Sequence, residues 1–327
     1  SILQVFVGYC SDLWGRRKPL VVAGYGLSAV SKLFLPFSWT WQQVFAIKAL
    51  ERCGKGVRSA PRDALISESV DENNQGKGFG IHRAMDSSGA VIGSILAYAL
   101  WIAGLDFRTI FLIAAAMAVA SLIPFHMVEE RPKVPNGQLK LSVSDLSPGL
   151  RKFLVVACLF ALGNFSYMFF ILRAQQLFSG KEAIAAPLLL YVLFNLVYAG
   201  MAAPVGIWSD KIGRRNVLAL GYAIFAATAL GFATVSSLAG VMVLFALYGL
   251  VYAIVDSMQS AFVSDLSRSC VRSTSLGLYY GAVGVTAILS SLLAGSLWSQ
   301  FGASATFIFG AAASTLAALA LLRMKAL

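Results

Sequence analysis

The sequence predicts an all-α polytopic membrane protein built as two pseudo-symmetric six-helix bundles. Three observations carry that expectation. Hydrophobic residues make up 58% of the chain and charged residues only 13%, with a mean hydropathy of +0.75, whereas a soluble domain is roughly one quarter charged. Apolar stretches of about 20 residues, the length of a transmembrane helix, follow one another almost without pause. Finally, a polar cassette, Gly8-x-x-x-Asp12-x-x-Gly15-Arg16-Arg17, returns with identical spacing as Gly206-x-x-x-Asp210-x-x-Gly213-Arg214-Arg215.

In chain order, residues 1–9 are an apolar tail about half the length needed to cross a bilayer, and the first cassette follows at once. Complete spans are expected at 18–37, 40–62, 80–103 and 107–128, then at 153–178, 184–208, 216–236, 238–263, 274–300 and 302–323. Residues 129–152 form the one polar stretch, with Pro, Gly and Ser, and read as a central loop between an N-terminal bundle (1–128) and a C-terminal bundle (153–327). The halves repeat beyond the cassette. Ala64-Leu65-Ile66-Ser67-Glu68 aligns without gaps to Ala261-Phe262-Val263-Ser264-Asp265, and Gly80-Ile81 to Gly277-Leu278, at one offset. The second half holds six spans and the first four and a stub. The simplest expectation is therefore a twelve-span ancestor lacking here its first span and most of its second.

The formal net charge of +11 does not point to nucleic acid, because the basic residues sit in short loops on alternate connections. That is the positive-inside pattern and predicts both cassettes to be cytoplasmic, in the plasma membrane. Cys10, Cys53, Cys158 and Cys270 are scattered without paired spacing, and His82 and His126 lack metal-ligand spacing, so no metal, cofactor or disulfide is expected. No phosphate-binding loop, zinc-protease motif or nucleophile constellation is present, which argues against an enzyme.

The cassette, the twofold six-helix plan and the central loop resemble the major facilitator superfamily of secondary transporters. Arg52 followed by Gly56 is similar to that superfamily's second signature, and Gly89-x-x-x-Gly93 to its glycine-rich helix motif, although Ser94 stands where antiporters carry proline. The run Arg52-Cys53-Gly54-Lys55-Gly56-Val57-Arg58-Ser59-Ala60-Pro61-Arg62-Asp63 resembles a prokaryotic branch of permeases. The resemblance covers essentially the whole chain. It implies alternating access, a partnership with the lipid bilayer, a small solute and protons, and a monomer. It also implies that the cassettes latch the halves together when the cytoplasmic side is closed.

The 40–62 span is the most charged. At about 100° per residue, Lys48, Glu51, Arg52, Lys55, Arg58 and Arg62 fall within an arc of roughly 140°. A charge at the centre of a span costs about 2.5–3.5 kcal/mol on the insertion scale, so these groups must line a wet interior or pair with one another. Glu51 has helical spacing to Lys48 and Lys55. The surplus of basic groups implies a positively biased cavity wall suited to an anionic or zwitterionic solute. Glu51, Arg52, Lys55 and Arg58 are candidates for substrate contact or coupling, against a purely structural ion-pair network. Arg62 and Asp63, near the expected cytoplasmic mouth where Pro61 should bend or end the helix, are candidate gate residues.

Two further carboxylates lie within spans. Asp86 precedes Ser87-Ser88-Gly89 and has proton coupling or a fixed pairing with Arg58 or Arg62 as alternatives. Asp256 aligns with Ser59 of the other half and has fewer evident partners. An ionisable residue inside a span is a functional hypothesis by default. Asn164 and Tyr167 should share one face of the 153–178 span, while Tyr191, Asn195 and Tyr198 recur at i, i+4 and i+7. They suit a midplane solute site or ordinary interhelical hydrogen bonding. In the cassettes, Gly8 and Gly206 should permit close helix approach, and Gly15 and Gly213 a tight turn. Asp12 and Asp210 should accept from backbone N–H groups or arginines, with Arg16, Arg17, Arg214 and Arg215 on the cytoplasmic side. The expected function is proton-coupled transport of a small solute. A polyspecific drug/proton antiporter is the rival within transport, and a non-transporting membrane sensor the rival outside it.

Overall fold

The computed structural model describes residues 2–130, 146–177 and 182–324, and of 182–188 the backbone alone. Most of the expected central loop, including Lys133 and Lys140, lies outside the described residues, as do Lys181 and Lys325. Twelve α-helices and no strand are found among them: α1 (Ile2–Trp14), α2 (Lys18–Phe34), α3 (Trp41–Glu68), α4 (Gln75–Ile102), α5 (Phe107–Ala120), α6 (Pro148–Gly163), α7 (Met168–Gln175), α8 (Glu182–Ile212), α9 (Arg214–Thr234), α10 (Leu238–Leu266), α11 (Arg272–Phe301) and α12 (Ala303–Arg323). Nine helical segments among the described residues are long and apolar enough to cross a membrane. That is one fewer than the ten expected, because α3, though 28 residues long, is too rich in charge to qualify on hydropathy.

Local chemistry sets several boundaries. Thr40 opens α3 with a capping box in which its hydroxyl accepts from the Gln43 N–H while the Gln43 side chain accepts from the Thr40 N–H. Ser147 caps α6, with Pro148 at the first helical position. Gly15 (φ 62°) and Gly213 (φ 93°) make the turns that follow Asp12 and Asp210; an L side chain is strained at such angles. Pro61 does not end its helix. α3 runs on to Glu68, with Ala60, Pro61, Asp63 and Ala64 all buried, so packing outweighs the one backbone hydrogen bond that proline removes. The 153–178 span is not one helix either. It breaks between α6 and α7 at Asn164-Phe165-Ser166-Tyr167.

The chain forms two compact units that interleave in sequence. The first comprises Ser1–Ser69, Ile92–Asp145 and Ser267–Gly281; the second comprises Val70–Val91, Leu146–Leu266 and Ala282–Leu327. In the first, α2 lies against α3 at a glycine crossing. A Cβ on Gly24 would stand 2.7 Å from the Gly54 carbonyl oxygen, and one on Gly54 would stand 2.5 Å from the Ser28 hydroxyl. In the second, α6, α8, α9, α10 and α12 pack around an aromatic core. Phe160 stacks on Tyr222 at 4.0 Å, and Phe170 stacks on Tyr248 at 4.2 Å with Phe232 and Phe307 edge-on. Such offset and edge-to-face pairs add stability beyond the apolar area they bury.

Candidate functional site

Each cassette holds the start of a helix distant in sequence. In the first unit, the Asp12 carboxylate accepts from the backbone N–H groups of Ser273 (3.3 Å) and Thr274 (2.6 Å) and from the Thr274 hydroxyl (2.8 Å). In the second unit, Asp210 accepts from the N–H groups of Gly76 (2.9 Å) and Lys77 (2.8 Å). Both pairs of donors occupy the second and third positions of their helices, α11 and α4. The first N–H groups of a helix have no intrahelical acceptor, and a carboxylate there also meets the positive end of the helix dipole. The cassette aspartates are thus N-caps supplied by another helix. Their glycines let the helices close. A Cβ on Gly8 would lie 2.5 Å from the Ser273 carbonyl oxygen, and one on Gly206 would collide with the Gly76 carbonyl.

The two cassettes differ in which arginine they use. Arg17, the second of its pair, reaches Asp12 (3.2 Å) and Glu68 (2.7 Å) with its side chain only 4% exposed. Burial pushes its pKa down, opposed by Glu68 and Asp12. Glu130 closes this corner by accepting from the N–H groups of Arg17 and Lys18 at the start of α2. In the second cassette it is the first arginine, Arg214, that pairs with Asp210 and Asp265 and donates to the Glu72 carbonyl. Arg215 donates instead to the Met324 carbonyl, and Arg16 is exposed.

On α3, Glu51 pairs with Lys48 (2.9 Å) and with Lys32 (3.6 Å) on α2, not with Lys55. Arg58 lies over the Tyr25 ring at 4.1 Å and donates to the Ser28 hydroxyl at 3.0 Å. Arg62 pairs with its neighbour Asp63, which is fully buried and also accepts from the Tyr280 hydroxyl. Arg52 and Lys55 are exposed. Several of the α3 charges are therefore neutralised by partners on their own helix or the next. Asp86 is exposed and joins no ion pair among the described residues.

In the second unit several of the neutral polar candidates are linked by ring contacts and by one hydrogen bond to Asp256. The Tyr198 hydroxyl donates to Asp256 at 2.8 Å. Tyr252, one turn before Asp256 on α10, accepts from the Tyr248 hydroxyl at 3.4 Å. Tyr167, in the α6–α7 break, stacks on Tyr191 at 5.7 Å, and Tyr191 on Phe194 at 5.9 Å. Asn164 and Tyr167 both lie in the break and so do not share a helical face. Asn195 donates to the Tyr191 carbonyl of its own helix at 2.8 Å, so that amide is partly spent on local structure. Arg173 caps the C-terminal end of α9 through the Phe232 and Val235 carbonyls. A Cβ on Gly89 or Gly93 would meet nothing within 4 Å.

Sequence reasoning missed Glu68, Glu130, Asp265 and Tyr280 as partners, and Phe194, Tyr248 and Tyr252 as members of the aromatic cluster that Tyr191 and Tyr198 join. Glu68 and Asp265 close the aligned segments of the two halves, a signal that was present. The aromatic residues are indistinguishable in sequence from core residues of an apolar span.

A family model described as the Major Facilitator Superfamily matches residues 1–191 and 183–326. An uncharacterised MFS-type transporter of Methanocaldococcus jannaschii is 44% identical over 329 residues, spanning 98% of this chain and 82% of the relative. Two solved structures share the fold. The human organic anion transporter MFSD10 (TETRAN) superposes with a TM-score of 0.80 at 18% identity, over 98% of this chain and 81% of that one. The proton:xylose symporter XylE superposes with a TM-score of 0.78 at 15% identity, over 99% of this chain and 83% of that one. With duplicated cassettes, apolar spans and a match along nearly its whole length, the chain is an integral membrane protein belonging to the Major Facilitator Superfamily of transporters.

Proposed function

We propose that this protein is a secondary active transporter, not an enzyme, that moves a small solute by alternating access coupled to protons. The observation that carries the reading is the pair of transposed helix caps. Asp12 and Asp210 each hold the first turn of a helix from the other sequence half. A cap can open without unfolding the helix it closes, because it satisfies groups that have no intrahelical partner. Gly8, Asp12, Gly15, Arg16, Arg17, Arg62 and Asp63 form one gate, and Gly206, Asp210, Gly213, Arg214 and Arg215 the other, both on the cytoplasmic side as the loop charges favour.

Asp256 is the coupling carboxylate in this reading, with Asp86 as second candidate. Asp256 is half-buried on a span and hydrogen-bonded to a neutral tyrosine, and no ion pair to it is formed among the described residues. A proton can neutralise such a carboxylate without breaking a salt bridge. The basic surplus of α3, with Arg52 and Lys55 exposed, is in keeping with an anionic or zwitterionic solute. The test is uptake by full-length protein in proteoliposomes, screened broadly with and without an inward proton gradient. Asp256→Asn should lose gradient-driven accumulation and keep solute exchange. Undiminished driven uptake in both Asp256→Asn and Asp86→Asn would remove the coupling assignment, and failure to move any solute would remove the transport reading.

A further inference from the structure

A cavity and a groove run into one another at the start of α9. The cavity, of about 610 Å³, lies in the second unit among the first turns of α6 and α9, the ends of α10 and α12 and the turn that leads into α4. The groove, of about 410 Å³, follows α9 and α12 into the span. Asn216 lines both. Within the groove, Ala219, Ala223 and Ala226 recur at helical spacing beside Leu220, Leu319 and Leu322, which are 41%, 51% and 51% exposed. The Thr315 hydroxyl, also on the groove, donates to the Ala311 carbonyl of its own helix at 2.8 Å, so the surface offered is apolar. From Asn216 to Ala226 is about 15 Å of helix, half of a hydrocarbon core of about 30 Å. The groove therefore has the reach of one acyl chain in one leaflet.

The cavity at its head is polar, and Lys152 and Arg215 stand there outside any ion pair. Arg214 is matched by Asp210 and Asp265, and Asp210 also accepts from the N–H groups of Gly76 and Lys77. Lys152 is exposed and forms no hydrogen bond or ion pair among the described residues. Arg215 uses one guanidinium N–H on the Met324 carbonyl and keeps its other donors available. Glu72 is likewise outside an ion pair among the described residues. Helix ends tip this balance toward an anion. α6 and α9 begin on the cavity and α4 just beyond it, whereas α10 and α12 end there. The Leu266 and Met324 carbonyls at those two ends already accept from Ser147 and Arg215. Gly213, at the N-cap of α9, has no side chain to cap the first N–H groups, which leaves the positive end of that helix open.

We infer that the cavity and groove together hold one anionic phospholipid of the leaflet on the cassette side, with its phosphate between Lys152 and Arg215 and one acyl chain along α9 and α12. The polar part lies at the helix ends, the apolar part lies within the span, and the two are continuous. That is the layout of an amphiphile standing in a bilayer, with basic side chains at headgroup level. The site names a resident ligand and is independent of the cargo.

Native mass spectrometry of the full chain, released from detergent micelles, counts bound lipid. Phosphatidylglycerol and phosphatidylcholine with identical acyl chains are the probes; they share the phosphate, and only the second carries a fixed cation. The chain should retain one phosphatidylglycerol at a concentration about five-fold or more below that needed for phosphatidylcholine, the factor that one basic side chain contributes near a membrane surface. Lys152→Gln should weaken phosphatidylglycerol about five-fold. Ala223→Phe, which fills the groove, should weaken both lipids. Ala227→Phe, exposed on the same helix outside the groove, should bind as the parent does and so controls for folding. Glycerophosphoglycerol, the headgroup without chains, should not displace the lipid at large excess. Equal retention of the two lipids, no retention of either, a preference untouched by Lys152→Gln, or equal effects of the two phenylalanine substitutions overturns the inference. Displacement by glycerophosphoglycerol assigns the cavity to a free anion, and a dimer that Ala223→Phe disperses assigns the groove to a second copy; either result also overturns it.

Discussion

Asp210→Asn isolates the transposed cap, because it keeps the shape of the side chain and removes its charge and one acceptor. In the parent, two carboxylate oxygens serve two backbone donors, the N–H groups of Gly76 at 2.9 Å and Lys77 at 2.8 Å. A carboxamide offers one oxygen and turns its NH2 group toward the other donor. The loss comprises one charged hydrogen bond, about 1.5–3 kcal/mol, and the carboxylate's interaction with the helix dipole, about 0.3–1 kcal/mol. Arg214 loses its strongest contact with this residue but retains Asp265 and the Glu72 carbonyl, so nothing further is added for it. The sum is about 2–4 kcal/mol, which corresponds to roughly 30- to 1,000-fold in the population of the open cap. These two amides sit in the first turn of α4 and have no intrahelical acceptor, so Asp210 is the source of their protection. Hydrogen–deuterium exchange resolved at Gly76 and Lys77 should accelerate by that factor in the variant, while the amides of Ser273 and Thr274 keep their parental rates. Asp12→Asn should give the converse pattern. Unchanged exchange at Gly76 and Lys77 would falsify the cap.

Two other outcomes follow from the same geometry. Gly206→Ala drives a methyl group into the Gly76 backbone and should lower stability by about 1–3 kcal/mol, whereas Gly200→Ala on the same helix, where a Cβ meets nothing within 4 Å, should be neutral or slightly stabilising; comparative thermal unfolding in one detergent separates them, and equal melting temperatures would discount the close approach. Arg17→Ala leaves Asp12 and Glu68 without their shared guanidinium in a buried corner and should cost about 3–5 kcal/mol, while Arg16→Ala removes an exposed group and should shift the melting temperature little; similar shifts would refute the unequal use of the two arginines.

Much of this was legible in the order of residues. Bilayer-length apolar stretches specify helices because every backbone polar group in lipid must be satisfied within its own segment, and the helices observed follow the expected spans closely. The duplicated cassette announced the duplicated machinery, and its glycines and aspartates hold the positions such chemistry requires. Two boundaries were misjudged for physical reasons. Pro61 signals a bend or an end, and α3 continues past it to Glu68 with its small neighbours Ala60 and Ala64 buried. The break at Asn164–Tyr167 is marked only by Gly163-Asn164, residues that favour a helix end, inside a run whose hydropathy reads as one continuous span.

By itself the sequence determined the class of protein, the run of the spans and the chemistry of the repeated turn, all of which depend on hydropathy and on spacing along one helix. Only the tertiary structure decided the partners. It set Asp12 on α11 and Asp210 on α4, chose Arg17 in one cassette and Arg214 in the other, and bonded Asp256 on α10 to Tyr198 on α8. The reason is that charge pairing and ring packing act through space over a few ångströms, between residues that may lie more than two hundred positions apart in the chain, as Asp12 and Thr274 do.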